Sequence, residues 1–149
     1  MPTDSRYSAV AEHVARYVET NGEIGHIWRD VPTLVLTTRG RRSGTLRRTA
    51  LIYARTESGL VVAASNLGSD RHPDWYLNLL AEPKVTVQVK DERFDVIASV
   101  ASGPEYDALW DVMVGVWPDY EDYQRKTQRR IPLVVLSAAT EDAPASSRS

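Results

Sequence analysis

The sequence predicts a mainly β domain of the α+β class, an antiparallel barrel of about six strands with peripheral helices and an amphipathic helix at its N-terminus. Two patterns predict it. Short apolar or alternating runs are separated by turn residues at hairpin spacing, and helical periodicities are inserted between them without a regular strand–helix alternation. A third observation removes the main competitor. No strand leads through a glycine-rich turn into a long helix, so a doubly wound nucleotide-binding sheet is not expected.

Residues 4–20 place Tyr7, Val10, Ala11, Val14, Tyr17 and Val18 at three- and four-residue steps, which makes one apolar stripe on a helix. Thr3 or Asp4 stands where a cap belongs, and Asn21-Gly22 where the helix stops. Packing on the core is the simplest use of that stripe; docking on a membrane or a partner is the other. Gly22 to Pro32 reads as a connector that Ile24, Ile27 and Trp28 pin down. Thr33–Thr38 is a β-branched strand. Thr49–Arg55 and Leu60–Ala64 flank the turn Glu57-Ser58-Gly59 closely enough to form a hairpin. After the polar loop Ser65–His72, Pro73 opens a short helix whose buried face is Trp75, Tyr76, Leu79 and Leu80, and Pro83 ends it.

Lys84–Lys90 alternates Val85, Val87 and Val89 against polar neighbours, and a tight Asp91-Glu92 turn leads into Phe94–Val100. Ser102 with Glu105 three residues later has capping-box spacing. It predicts a helix that buries Tyr106, Leu109, Trp110, Met113 and Val114 and ends at Gly115. The Trp/Tyr-rich segment 117–123 re-enters a helix, Ile131–Ser137 is a last strand, and the polar tail Thr140–Ser149 is expected to fray. Three segments follow: helix and connector over 1–32, barrel over 33–138, flexible tail over 139–149.

At 149 residues, with 42% hydrophobic and 26% charged side chains, the chain is one ordinary globular domain. It contains no cysteine, which excludes disulfides, zinc ribbons, iron–sulfur clusters and a thiol nucleophile. His13, His26 and His72 are too scattered for a metal motif or a histidine triad. No apolar stretch approaches the ~20 residues of a membrane span, and no secretory signal opens the chain. A cytoplasmic protein is expected, with membrane association through the N-terminal helix left open.

Charge is distributed unevenly. Arg39, Arg41, Arg42, Arg47 and Arg48 fall within ten residues that contain no acid; without them the rest of the chain stands at −7, against a total of −2. A single cationic loop on an acidic protein points to a local anionic ligand, not to a polyanion spread over a face. Glycines 40 and 44 let that loop turn sharply, and arginine forks match phosphate and carboxylate oxygens two at a time. Five like charges this close repel by up to ~1 kcal/mol per pair at 4 Å in bulk water. The alternative is a solvated loop with its charges splayed outward.

Ser65-Asn66-Leu67-Gly68-Ser69 leaves a strand with small residues against which a flat ring can lie, or is a plain connector. Pro73, Trp75 and Asn78 read as core plus helix cap or as part of a binding site. Trp117, Tyr120 and Tyr123 form an aromatic cluster flanked by acids. It can line an open pocket with a phenolic proton donor, or fill the core.

Taken together, these blocks resemble the deazaflavin-dependent nitroreductase family of actinobacteria. The resemblance runs from about Val31 to Leu136. It rests on Leu36-Thr37-Thr38-Arg39-Gly40-Arg41-Arg42-Ser43-Gly44, then Arg47, then Ala63-Ala64-Ser65-Asn66. Further along it rests on Pro73-Asp74-Trp75-Tyr76-Leu77-Asn78-Leu79, Ala81-Glu82-Pro83-Lys84-Val85, Tyr120-Glu121-Asp122-Tyr123-Gln124 and Arg130-Ile131-Pro132. It implies a split β-barrel that binds reduced coenzyme F420, a cofactor with a flat deazaflavin ring at one end and a phosphate with a glutamate tail at the other. Arg41, Arg42, Ser43 and Arg47 would then hold the phosphate and tail. Ala64, Ser65, Asn66, Leu67 and Gly68, with Pro73, Trp75 and Asn78, would frame the ring.

The implied activity is hydride transfer from the reduced cofactor to a flat, electron-poor small molecule: a quinone, a nitroaromatic or nitroimidazole, or an enone. Ser65 would hydrogen-bond the ring or the acceptor, Tyr123 would donate the proton, and Tyr120 and Trp117 would shape the apolar wall. Two alternatives keep the barrel, namely FMN as the cofactor and a carrier or sensor without turnover. No metal is expected. Nucleic acid is not expected as a partner, because the acidic remainder opposes it. Pairing into a homodimer is left open.

Overall fold

The computed structural model describes Thr3–Asp4 and residues 8–138, and within them the chain runs β1 Thr3–Asp4, α1 Ser8–Thr20, β2 Ile27–Trp28, β3 Val31–Arg39, β4 Leu46–Ile52, β5 Ala54–Thr56 and β6 Gly59–Ala63. It continues through a single 3-10 turn at Asn66–Gly68, α2 Asp74–Ala81, β7 Lys84–Val89, β8 Glu92–Val100, α3 Gly103–Val116, α4 Asp119–Arg125 and β9 Leu133–Ala138. The strands form one sheet in the order β1-β4-β3-β7-β8-β9-β6-β5, with β2 paired to β3 off that path. All the pairings are antiparallel except β1 on β4, which is parallel.

Closure comes from Tyr53. Ile52 is the last β4 residue paired with β3, opposite Thr33, and Ala54 already pairs with Val61 of β6. β4, flanked on its outer side only by the two-residue β1, and the end strand β5 are therefore consecutive in sequence, and one residue carries the chain from one side of the sheet to the other. This curls the sheet into a split barrel.

Alternation explains which faces are covered. Leu34, Leu36, Leu60, Val62, Val85, Val87, Val134 and Leu136 point into the barrel and pack in one cluster. Their neighbours Val61, Ala63, Leu133 and Val135 point outward, beneath Tyr106, Leu109 and Met113 of α3. Val35 faces the other way from Leu34 and Leu36 and receives Val14 and Tyr17 of α1. Strands covered on both faces read as continuous apolar runs, which is the texture of β3, β6 and β9 in the sequence.

The six long strands are those expected; β1, β2 and β5 are additional short ones. Thr3 and Asp4, expected to cap the helix, instead pair with Arg47 and Arg48, and α1 starts at Ser8. β2 interrupts the expected connector, and β4–β5 replace a single strand over 49–55. Asn21 and Gly22 do stop α1, with φ of 54° and 85° and a Gly22 N–H bond back to the Tyr17 carbonyl at 2.8 Å. Val14 and Tyr17 of the α1 stripe are buried against the barrel with Val10 and Val18 packed beside them, and no helix among the described residues is long and apolar enough to cross a membrane.

Pro73 caps α2 from outside its first turn, and the buried residues of α2 are Tyr76, Asn78 and Leu79, with Leu80 52% exposed. The β7–β8 turn falls at Lys90-Asp91, one residue early. Ser102 makes no side-chain cap, and α3 continues through Gly115 to Val116. Tyr7 and the tail 140–149 lie outside the described residues.

Candidate functional site

The arginine loop is the β3–β4 hairpin. Its shape is set by backbone bonds from Gly40 N–H to the Thr45 carbonyl (2.8 Å) and from Gly44 N–H to the Gly40 carbonyl (2.9 Å). Gly44 sits at φ +75°, where a side chain is strained. Ser43 Oγ accepts the Thr45 N–H at 3.1 Å, and Arg39 donates to the Gly44 carbonyl at 2.8 Å. Arg39 and Ser43 thus shape the loop from within.

The hairpin is tied to α2. Asn78, 2% exposed, accepts through Oδ1 from the Arg41 backbone N–H (3.2 Å) and from the Arg41 guanidinium (2.8 Å), while its Nδ2 donates to Thr38 Oγ1. Arg41 also faces Asp74 at 3.6 Å. Arg42 and Arg47 are exposed.

A second wall is the turn after β6. Asn66, Leu67 and Gly68 all adopt left-handed backbone, with φ of 48°, 57° and 83°. Such a run is unfavourable for non-glycine residues and needs outside support. Arg129 gives it, donating to the carbonyls of Ala64 (3.1 Å), Ser65 (2.7 Å) and Ser69 (2.8 Å). Thr127 adds a bond to Asp70 at 2.6 Å. Gly68 is packed on α4 so closely that a Cβ there would lie 2.8 Å from the Tyr123 carbonyl oxygen.

The third wall is aromatic. Tyr120 and Tyr123 meet edge to face with centroids 6.0 Å apart, and Trp117 Nε1 donates to Tyr123 OH at 3.5 Å. Trp28 of β2 closes on Trp117 at 5.4 Å. Tyr120 is 4% exposed and belongs to the core beneath α3, and burial pushes its phenol above the ordinary value. Tyr123 is half-buried.

These walls enclose one open cavity of about 1060 Å³, large enough for an extended cofactor together with a second ligand. Arg41, Arg42, Ser43 and Arg47 line one part of it; Ser65, Asn66, Leu67, Pro73, Trp75 and Asn78 another; Trp117, Tyr120 and Tyr123 a third. Ala64 and Gly68 do not line it. Ala64 is fully buried, and Gly68 is turned toward α4. Trp28, His13 and His72 line it as well, and sequence reasoning missed them. It also missed Arg129, whose role shows only once β9's approach is folded against the 65–69 turn. A smaller hollow of about 240 Å³, lined by Arg39, Glu82, Lys84 and Asp95, mixes both signs of charge and suits no large anion. No group of side chains among the described residues is arranged to hold a metal ion.

The sequence model of a family described as F420H(2)-dependent quinone reductase matches residues 9–138. An F420H(2)-dependent quinone reductase of Mycobacterium tuberculosis is 40% identical over 129 residues, 84% of this chain and 87% of that one. Among solved structures, an F420-H2 dependent reductase superposes with a TM-score of 0.67 at 34% identity, covering 75% of this chain and 98% of its own. A second solved structure, a domain-swapped dimer, gives a TM-score of 0.69 at 33% identity, covering 89% of this chain and 100% of its own.

Proposed function

The chain belongs to the F420H(2)-dependent quinone reductase family, and on that premise we propose that the cavity between the hairpin, the 65–69 turn and the aromatic wall is where its cofactor and acceptor meet. The protein is an oxidoreductase whose cofactor is coenzyme F420, and it reduces a quinone with hydride from the reduced form. The family and the relatives reported above are named for F420H2-dependent reduction, which supports coenzyme F420 over FMN and an enzyme over a carrier.

One observation carries the assignment of the site: cationic and aromatic walls belong to the same cavity. A ligand anionic at one end and flat at the other fits that division. Arg41, Arg42 and Arg47 are the cations for the phosphate and glutamate carboxylates, and bidentate bonds to such groups are the strong kind. Arg41 is the most constrained, because Asn78 fixes both its backbone and its fork. Ser65, Leu67, Pro73 and Trp75 offer the flat end small and apolar surface. When bound, the reduced deazaflavin supplies the hydride. The chain's own part is to align the acceptor, exclude water and deliver a proton.

Tyr123 is the proton donor in this reading. Its hydroxyl accepts from Trp117 Nε1 and so keeps its own proton for the acceptor oxygen. Tyr120 is too deeply buried for that role and supports Tyr123 from below. Nitroaromatic and enone acceptors are within the same proposal, since the wall recognises flatness more than a particular oxygen. A homodimer is also part of it, supported by the domain-swapped dimer among similar structures.

Fluorescence titration with F420 and FMN, followed by stopped-flow oxidation of bound reduced F420 by a naphthoquinone, tests the reading. Saturable, salt-sensitive F420 binding that Arg41→Gln weakens is expected. F420 binding that is indifferent to all three arginines would remove the site from this cavity.

A further inference from the structure

His72 lines the same cavity and takes no part in holding the anionic end or donating the proton. Its Nδ1 lies 3.2 Å from Arg129 Nη1. A guanidinium has only donors and stays protonated at any working pH, so Nδ1 must accept. An imidazole that accepts at Nδ1 is neutral and carries its proton on Nε2.

Arg129 is not free to turn away from this contact. Three of its other N–H groups are bound to the carbonyls of Ala64, Ser65 and Ser69. The His72 ring packs against Tyr76 at a 45° tilt, centroids 4.8 Å apart. Burial, and next the Arg129 charge, hold the His72 pKa below its usual value, which agrees with a neutral ring. Nε2 has no protein partner among the described residues. A ligand oxygen in the cavity can accept from that donor.

We propose that His72 is a ligand-binding donor, its Nε2–H aimed at a carbonyl oxygen of a molecule bound in this cavity, with Arg129 the positioning residue that fixes its tautomer. The proposal rests on the cavity being the site of cofactor and acceptor. Both the deazaflavin and a quinone carry carbonyl oxygens, so the chemistry is shared and the source is a matter for the test.

Long-range 1H–15N correlation spectra of the histidine-labelled, ligand-free protein read the tautomer directly. The Nε2–H form is expected for His72 at pH 7.5, and Arg129→Gln is expected to mix the two forms. A dominant Nδ1–H form overturns the proposal whatever the cavity binds. In the ligand arms, His72→Phe is expected to weaken one partner by about three- to ten-fold. A raised F420 dissociation constant identifies the ring; an unchanged one with a raised KM for 2-methyl-1,4-naphthoquinone identifies the acceptor. His72→Gln, which keeps a donor, is expected to recover part of the loss. If His72→Phe binds F420 and shows a KM for the quinone both within twofold of the parent, the proposal fails while the cavity assignment stands. If the parent protein binds F420 elsewhere, the cavity assignment fails and the tautomer result is unaffected.

Discussion

The side-chain carbonyl of Asn78 accepts both the main-chain N–H and the guanidinium of Arg41, at 3.2 and 2.8 Å. One buried amide on a helix therefore sets where the hairpin begins and where its first inward-facing cation points. Asn78→Leu fills similar volume but leaves the Arg41 N–H and Thr38 Oγ1 without partners. It is expected to destabilise the fold by about 1–3 kcal/mol and to weaken F420 binding as the loop loosens. Urea unfolding and fluorescence titration of the same variant measure the two effects.

Neutralising Arg41, Arg42 or Arg47 to Gln removes a charge-assisted contact worth about 1.5–3 kcal/mol when made. Each substitution is expected to raise the F420 dissociation constant by roughly ten- to a hundred-fold and to flatten its salt dependence. Binding of the deazaflavin chromophore without phosphate or glutamates should change little. Equal losses for both ligands would mean the arginines support the ring end instead.

Tyr123→Phe should lower kcat by ~10²–10⁴-fold with F420 affinity nearly unchanged. Tyr120→Phe is a different experiment on a neighbouring ring. Tyr120 lies in the core, so its substitution should alter stability more than the pH dependence of turnover. Single-turnover oxidation of bound reduced F420 separates the two variants.

Protonation should destabilise the protein through His26. Burial, and then Lys90, lower the His26 pKa below its ordinary 6.5, and the ring faces Tyr53 OH at 3.0 Å. The other titratable neighbour is Tyr17, whose ring lies 6.4 Å away. The unfolded chain thus binds a proton that the folded one resists, so stability is complete above about pH 6.5 and declines as pH falls through the lowered value. His72 adds in the same direction. Thermal unfolding at pH 7.5 and 5.5 should show the decline, and His26→Gln should shrink it.

What the sequence made legible follows from how local each signal is. The barrel strands are β-branched runs between turns, and they fold where the pattern puts them. The arginine hairpin is legible because charge density needs no tertiary context. Asn78 was visible as a site residue but not as the tether of Arg41, since the two are 37 positions apart. Arg129 was invisible for the same reason: its partners Ala64 and Ser65 stand 65 and 64 positions upstream, and all three of its carbonyl bonds are made to main chain. Ala64 and Gly68 were drawn in by their neighbours. Contiguous residues on a turn do not share one face, and these two look into the protein. Tyr120 and Tyr123, one helical turn apart, differ because α3 covers the first and leaves the second half open.

Position 68 has no room for a methyl group against the main chain of residue 123. The turn that would cradle the reductant and the helix that would present the oxidant are thus stacked without a side chain between them. With both ligands held there, the gap a hydride would cross would be set by two peptide units in contact. Enlarging that residue to alanine would strain the turn at φ +83° and push it off α4, lengthening the jump by displacing one wall from the other.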